Sequence, residues 1–321
     1  MKITNQDLIQ SYIITSARYD FSVHEKRILY AIIQMFQFIT TNKKLNEKYS
    51  VQKDLFGDYA IEIPVQSCLK SEDDKNHTKV KDALRALENK KFEYEDDKTW
   101  QLIRLIQSPE INKRSDTFRF RLHHRIVDAM HDFSKGYSKY EFLTAMEFES
   151  VYAMRFYELL SNQKKPIDYN IDTLKMMFKI EGKYKNNGDF KRDVIDIAKK
   201  ELDSKSPFSF KYKERKQGRK IIGFTFYPIL IPKNKDPELE QKRLQKETSL
   251  GWDLDRVNVL YLRENFAFSD EEIKNNLSLF KLAQKKLDLI YKLSTLRNGA
   301  EKAKNPKGFV INALKNMLSQ A

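Results

Sequence analysis

The stretch that most limits what this chain can fold into is FSFKYKERKQGRKIIGFTFYPI, residues 208–229. Phe208, Phe210 and Tyr212 alternate along one arm, and Ile222, Phe224 and Phe226 along the other, around a charged turn that contains Gly218. A period of two puts each set on one face of a strand, so the spacing predicts a β-hairpin. A lone hairpin is barely stable in water and needs a helix or more strands against its apolar face. The segment just before it, DFKRDVIDIAKKEL (189–202), supplies a helix with Phe190, Val194, Ile197 and Ala198 on the packing side. Ser206-Pro207 stops that helix, because a residue before proline avoids helical geometry.

The pattern extends upstream. An aromatic-rich stretch over 139–162 reads as a helix that Pro166 breaks. IDTLKMMFKI, with Ile171, Leu174 and Phe178, reads as a second, short helix, and EGKYKNNG as a turn-rich connector. The same order occurs earlier in the chain. Ser22-x-x-Glu25 is a capping box that opens a helix over 22–39, with Leu29, Ile32, Ile33 and Phe36 on one face. The polar TTNKKLNEKYS ends it. YAIEIPV (59–65) is a short strand with Pro64 near its end. After the polar SEDDKNHTK comes a helix carrying Val80, Ala83, Leu84 and Leu87, which runs out at Lys90-Lys91. FEYEDDKTWQLIRLIQSP and DTFRFRL then read as the two arms of one hairpin.

Helix, strand, helix and hairpin is the order of a winged helix, a helix-turn-helix variant with a β-hairpin wing. The fold class expected is therefore α+β and helix-rich. It has a winged helix over 1–138, a second over 139–232, and a charged linker with a helical extension over 233–321. The extension starts with PKNKDPELEQKRLQKETSL (232–250). Ser269-x-x-Glu272 then caps a helix with Ile273, Leu277 and Phe280, and a last helix follows Pro306.

Charge says what the modules face. Lys and Arg number 59 against 45 Asp and Glu, a formal net charge of +14. That excess favours a polyanionic partner, most often nucleic acid. Apolar residues make up 40% of the chain, with 21 Phe and 16 Tyr, enough for packed cores and too many for a disordered chain. Cys68 is the single cysteine, so no intrachain disulfide forms and a reducing compartment fits. MKITNQDLIQSYIITSARYD has no signal-peptide core, and no stretch reaches the ~20 apolar residues of a membrane helix. The expected location is cytoplasmic, with no membrane partner.

In a helix-turn-helix module the last helix before the wing is the one that enters the major groove. Lys191, Arg192 and Lys199 fall within about a 100° arc of the 189–202 helix, beside its apolar face. The wing adds Lys211, Lys213, Arg215, Lys216, Arg219 and Lys220 against the single acid Glu214, with Tyr212 among them. These nine cations are the candidate DNA-binding residues. Wing cations are expected on phosphates, giving affinity without sequence information. Arg192 is the best candidate for reading a base, because its planar fork matches guanine O6 and N7.

Three stretches carry a resemblance to a known family: VYAMRFYELL (151–160), KYKNNGDFKRDVIDIAKKEL (183–202) and FSFKYKERKQGRKIIGFTF (208–226) with its Gly218-Arg219-Lys220. Across residues 5–230 the chain resembles the iteron-binding plasmid replication initiator (Rep) proteins with tandem winged-helix domains. The resemblance implies that the second winged helix binds directly repeated double-stranded DNA at a plasmid origin. The first would contact the adjoining DNA and form a homodimer. Dimers would repress the protein's own gene. Monomers would initiate, opening an AT-rich segment and recruiting host helicase or initiator proteins. Arg155, Tyr157 and Glu158 also match the family pattern. They read as structural, because a helix that is apolar on most sides is buried. Outside this span, NPKGFVINALKNML (305–318) is similar to a short terminal helix of some replication and primosomal proteins, or is a helical cap.

Signals for enzyme chemistry are sparse. A rolling-circle nicking Rep enzyme needs two histidines flanking one hydrophobic residue, near a nucleophilic Tyr. The close histidines here are the adjacent His123-His124, at the end of a predicted strand, where neighbours point to opposite faces. GKYKNNG has its glycines in the wrong order for a P-loop, and no Cys-x-x-Cys exists. The expectation is a non-enzyme with no catalytic residue, metal or cofactor. Three other readings stay open on the residues: a winged-helix transcriptional regulator without a replication role, the nicking enzyme, and a basic protein that binds DNA without sequence preference.

Overall fold

The computed structural model describes residues 5–40, 48–70, 74, 76–95, 99–133, 136–161, 163–248 and 254–320. The polar run that follows the first long helix, and part of SEDDKNHTK, lie outside the described residues.

Strand β1 (Asp7–Ser11) pairs antiparallel with β8 (Tyr137–Glu141), Asp7 opposite Glu141. Between them lies the first unit. After α1 (Tyr12–Ser16) comes α2 (Val23–Thr40), opened by the expected capping box: Glu25 N–H donates to Ser22 Oγ at 3.3 Å, and Ser22 N–H to the Glu25 carboxylate at 2.5 Å. The helix is not merely amphipathic. Its residues 25–36 are buried on every side, including Glu25, Lys26 and Arg27. β2 (Ser50–Lys53), β3 (Tyr59–Pro64), β6 (Gln107–Asn112) and β7 (Thr117–Leu122) form a sheet in the order β2-β3-β7-β6. α3 (His77–Asn89) buries Val80, Ala83, Leu84 and Leu87, as its spacing requires.

The wing of this unit corrects the sequence reading. FEYEDDKTWQLIRLIQSP and DTFRFRL are not two arms of one hairpin. The first stretch contains a hairpin of its own, β4 (Lys91–Glu95) with β5 (Trp100–Arg104). Its last residues enter β6, which pairs with β7 in the larger sheet. A long run of β-prone residues conceals a turn when the turn is only polar and holds no Gly or Pro.

The second unit departs from the sequence reading in three places. The stretch over 139–162 is not one helix but the end of β8, then α5 (Phe142–Glu147) and α6 (Val151–Leu160), with Ser150 accepting the Ala153 N–H at the N-terminus of α6. The division expected at 138/139 therefore falls inside a strand paired with β1. α7 (Ile171–Phe178) is preceded by β9 (Ile167–Asn170), a third strand beside the hairpin that the sequence reading lacked. Finally, the 189–202 helix extends over 187–205 and is not uniform. α8 (Asn187–Phe190) and α9 (Ile197–Lys205) are joined by a π turn, Lys191–Asp196. The wider turn shifts the phase, so Ile195 is buried and Ile197, expected in the core, is 47% exposed.

β10 (Phe208–Gln217) and β11 (Lys220–Leu230) form the expected hairpin. Gly218 has φ +60°, the left-handed geometry that a two-residue hairpin turn demands. A bulge leaves Ile222 without a partner: Arg215 faces Gly223 and Lys216 faces Ile221. Ile222, expected on the inner face with Phe224 and Phe226, is turned outward, and Ile221 packs inward instead.

One continuous hydrophobic core runs through both units, from Leu8 to Phe226. A second core holds the C-terminal helices α11 (Arg256–Phe266), α12 (Asp270–Asn275), α13 (Leu277–Lys286), α14 (Leu289–Glu301) and α15 (Pro306–Ser319). Ser269 and Glu272 form their expected capping box. The charged segment before this bundle includes α10 (Pro237–Thr248), which docks on the N-terminal strand. Arg243 reaches Asp7 at 2.5 Å, and Asn5 donates to Asp236 at 3.0 Å.

The units meet through a buried polar cluster. Glu158 of α6 accepts from Lys26 and, at 2.8 Å, from Tyr30, both on α2, and from Tyr19 at 3.1 Å. Arg155 and Glu158 are 2% and 0% exposed, so the structural role expected for them holds. Glu158→Gln leaves two buried cations without a counter-charge and is expected to cost about 3–5 kcal/mol. Urea denaturation of the variant against wild type measures it, with the exposed Arg119→Ala as a control expected within ~0.5 kcal/mol.

Candidate nucleic-acid interface

The helix over 187–205 is held in place from three directions. Glu201 accepts the backbone N–H groups of Glu149 at 2.7 Å and Ser150 at 2.9 Å, just ahead of α6. Asn186 caps its start by accepting the Gly188 N–H, and Asn187 donates to the Ile221 carbonyl at 2.7 Å. The Tyr212 hydroxyl donates to Asp196 at 2.5 Å, tying hairpin to helix, and burial and that carboxylate both push the phenol pKa up. Phe190, Val194, Ile195, Ala198 and Leu202 face the core. Arg192, Ile197 and Lys200 face solvent.

The structure divides the nine candidate cations into groups. Lys191 and Lys216 converge on one acid: each ammonium lies 2.8 Å from a different oxygen of Glu214. Hydrogen bonds from both hold the Glu214 carboxyl below its ordinary pKa, so it stays ionised at neutral pH. Arg192 is exposed, its fork bonded to Asp193 at 2.6 and 3.0 Å and to Asp189 at 2.9 Å. Lys199 pairs with Asp203 one turn on. Arg219 and Lys220 stand exposed at the hairpin tip.

Lys211, Lys213 and Arg215 do not join that surface. Alternation along β10 puts Phe210, Tyr212 and Glu214 toward the helix and these three on the opposite face. Lys213 lies over the Tyr227 ring at 5.7 Å. Arg215 reaches across β11 to Asn170 and, at 3.9 Å, to Asp168 on β9. A Cβ at Gly223 would sit 2.6 Å from both the Arg215 guanidinium and the Tyr169 carbonyl. Arg215 is thus a sheet residue, and Gly223 is glycine because two groups occupy its side-chain space.

Sequence reading left out other exposed cations near this face: Lys183 and Lys185 in the connector, and Lys200 on α9. The signal is present in GKYKNNG, whose lysines stand beside the turn residues and glycines read there. In the first unit α3 exposes Lys79, Lys81 and Arg85, the last paired with Asp82 at 3.2 Å.

The histidine pair also needs correction. His124 is not a strand residue. It opens α4 (His124–His131), and His123 caps that helix by accepting the Arg125 N–H at 3.2 Å. The rings therefore lie on one side, stacked at 4.3 Å, close to Asp58. Asp58 accepts from the His124 backbone N–H at 3.0 Å and lies 2.9 Å from its Nδ1. Two imidazoles and one carboxylate gather here, with their ligand atoms within 4.8 Å of one another. The arrangement clamps the β2–β3 turn to α4.

Gly223→Ala should strain the β9–β11 edge by about 1–3 kcal/mol, as overpacking does. A thermal melt of the variant reads this, and an unchanged midpoint would mean that both Arg215 and the β9 backbone give way freely.

Among the described residues no helix is long and apolar enough to cross a membrane. Residues 7–161 match the family model described as initiator replication protein, WH1, and residues 170–228 the one described as initiator Rep protein, WH2. With two winged-helix units on one core and a basic helix–hairpin face on the second, the chain belongs to the tandem winged-helix initiators of plasmid replication.

Proposed function

We propose that this initiator binds repeated sequences (iterons) at its plasmid origin, with the 187–205 helix in the major groove and the hairpin tip along the backbone. The observation that carries the reading is the helix face itself. Arg192 is 67% exposed at the side chain, aimed away from the core by Asp189 and Asp193. A fork held outward in this way is ready to exchange its acids for guanine O6 and N7. The same acids repel phosphate, which raises the cost of a non-cognate fit. Lys191, Lys199, Lys216, Arg219 and Lys220 serve the backbone, joined by Lys183, Lys185 and Lys200. Lys211 and Lys213, on the far face of the hairpin, add to the field that steers DNA in. Arg215 is left to the sheet.

Family resemblance supports the rest of the reading. A homodimer formed through the first unit represses the protein's own gene. The monomer opens the origin in the cytoplasm and recruits host helicase or initiator proteins. The protein itself works without catalysis, metal or cofactor.

Fluorescence anisotropy at about 150 mM salt, where weak phosphate contacts are screened, tests the binding. Duplexes tiled across the DNA flanking the gene are compared with a shuffled duplex. Tight binding confined to a repeated element is expected. Binding to a single promoter palindrome would instead favour a transcriptional regulator, and equal binding everywhere would remove sequence reading altogether. On the cognate duplex Arg192→Ala should cost about 1–3 kcal/mol and relax specificity. Lys216→Ala should weaken all duplexes alike and shallow the salt slope by about one unit. Equal losses for both variants on cognate and shuffled DNA would refute the base-reading role of Arg192.

A further inference from the structure

The π turn does more than bury Ile195. In an α-helix, residues five apart lie far round the axis from each other. Where the bonding is i→i+5, as over Lys191–Asp196, they come nearly into line. Arg192 and Ile197 are such a pair, and both are exposed. The outward face of this helix thus carries one guanidinium and one branched apolar side chain, bordered by Asp193, Asp196 and Lys200.

A single exposed isoleucine is ordinary on a protein surface. This one sits in the middle of the face assigned above to the major groove, and it is aligned with the residue assigned to a base. A helix that only held phosphate would gain from a cation there and gains nothing from an alkyl group. The major-groove floor presents donors and acceptors at every pair, but an apolar group at one base only, the C5-methyl of thymine. Five residues spanning one wide turn place Ile197 one helical pitch, about 5.4 Å, along the helix from Arg192, one to two base-pair steps.

We propose that Ile197 is a specificity residue that reads a thymine methyl, one to two steps from the base that Arg192 addresses. The proposal rests on the groove reading above. Asp193 and Asp196 sharpen it, because carboxylates beside the isoleucine disfavour its approach to phosphate.

The test uses the full chain and the tightest duplex from the tiling series, with each thymine replaced singly by deoxyuridine, which lacks only the methyl. Wild type should lose about fourfold in affinity at one thymine, the worth of one buried methyl group. Ile197→Ala should bind that duplex and its uracil version equally, and Ile197→Val should keep part of the difference. Because the side chain is outside the core, thermal melts of both variants should match wild type. If Ile197→Ala retains the full thymine-to-uracil loss, or if no single thymine matters to wild type, Ile197 reads no methyl. In both of those cases a surviving preference for cognate over shuffled DNA leaves the groove reading standing. Loss of that preference in wild type would take down both.

Discussion

The carboxylate of Glu158 is the point on which the two units are set. It is wholly buried, and in water it would be better solvated than in any apolar core. Four groups compensate: the Lys26 ammonium, the Tyr19 and Tyr30 hydroxyls, and the Arg155 guanidinium at 3.8 Å. Arg155 spreads its own charge over the face of Tyr19 at 3.9 Å and donates to the Ala17 carbonyl at 3.1 Å. Burial pushes the Lys26 amine down to about 8, with Glu158 pulling it back up. Apolar contacts alone would let α2 and α6 slide against each other at small cost. Directional hydrogen bonds from α2 and from the turn after α1, together with the Arg155 ion pair within α6, converge on one group and fix their register.

That register reaches the candidate DNA-binding surface through α6. The same helix carries Phe156, whose ring lies 5.2 Å from Phe210 and 5.3 Å from Phe226 on the hairpin and 5.5 Å from Phe178 on α7. Its N-terminus is joined to α9 through Glu201. The 187–205 helix, its hairpin and the long buried helix of the first unit are therefore referenced to one element. The family boundaries place α6 with the first unit, residues 7–161, while its aromatic side packs the second. A division of labour between the units is carried by surfaces, since they share their interior.

Much of this was legible in the sequence, and what was missed has identifiable physics. The β10–β11 hairpin, the capping boxes at Ser22 and Ser269, and the apolar faces of α2, α3 and α7 all follow from local periodicity and cap chemistry. Ile197 and Ile222 were misplaced for a shared reason. A π turn and a β-bulge each insert one residue into a repeat, and a residue at the insertion changes face. Pattern reading assumes an unbroken period, so it cannot see such insertions. The β8–α5–α6 stretch was missed because aromatic density suggested a single helix, while the β1 partner that makes β8 a strand lies about 130 residues away in sequence. Of the candidate site, the helix and wing were found, but the two faces of β10 were read as one. The alternation was used to place Phe210 and Tyr212 and then not applied to Lys211, Lys213 and Arg215.

Under the proposed function, the acids give a chain with a net charge of +14 a way to discriminate among DNA sequences. A groove-facing helix of bare lysines would bind any duplex, because phosphate attraction is nearly independent of sequence. Here Lys191, Arg192 and Lys199 are each matched to a carboxylate, so the helix face itself is close to neutral. Further exposed positive charge lies around it, on the connector before the helix, at Lys200 and at the hairpin tip. Such an arrangement separates two tasks. The surrounding cations draw the backbone in from a distance, and a near-neutral face must then find specific partners for Arg192 and its neighbours before their acids are displaced. A misfit base pair leaves those carboxylates facing the duplex with nothing to accept, a cost that grows with each wrong contact. By this argument the acids, more than the cations, set how sharply the protein tells its own origin from the surrounding DNA.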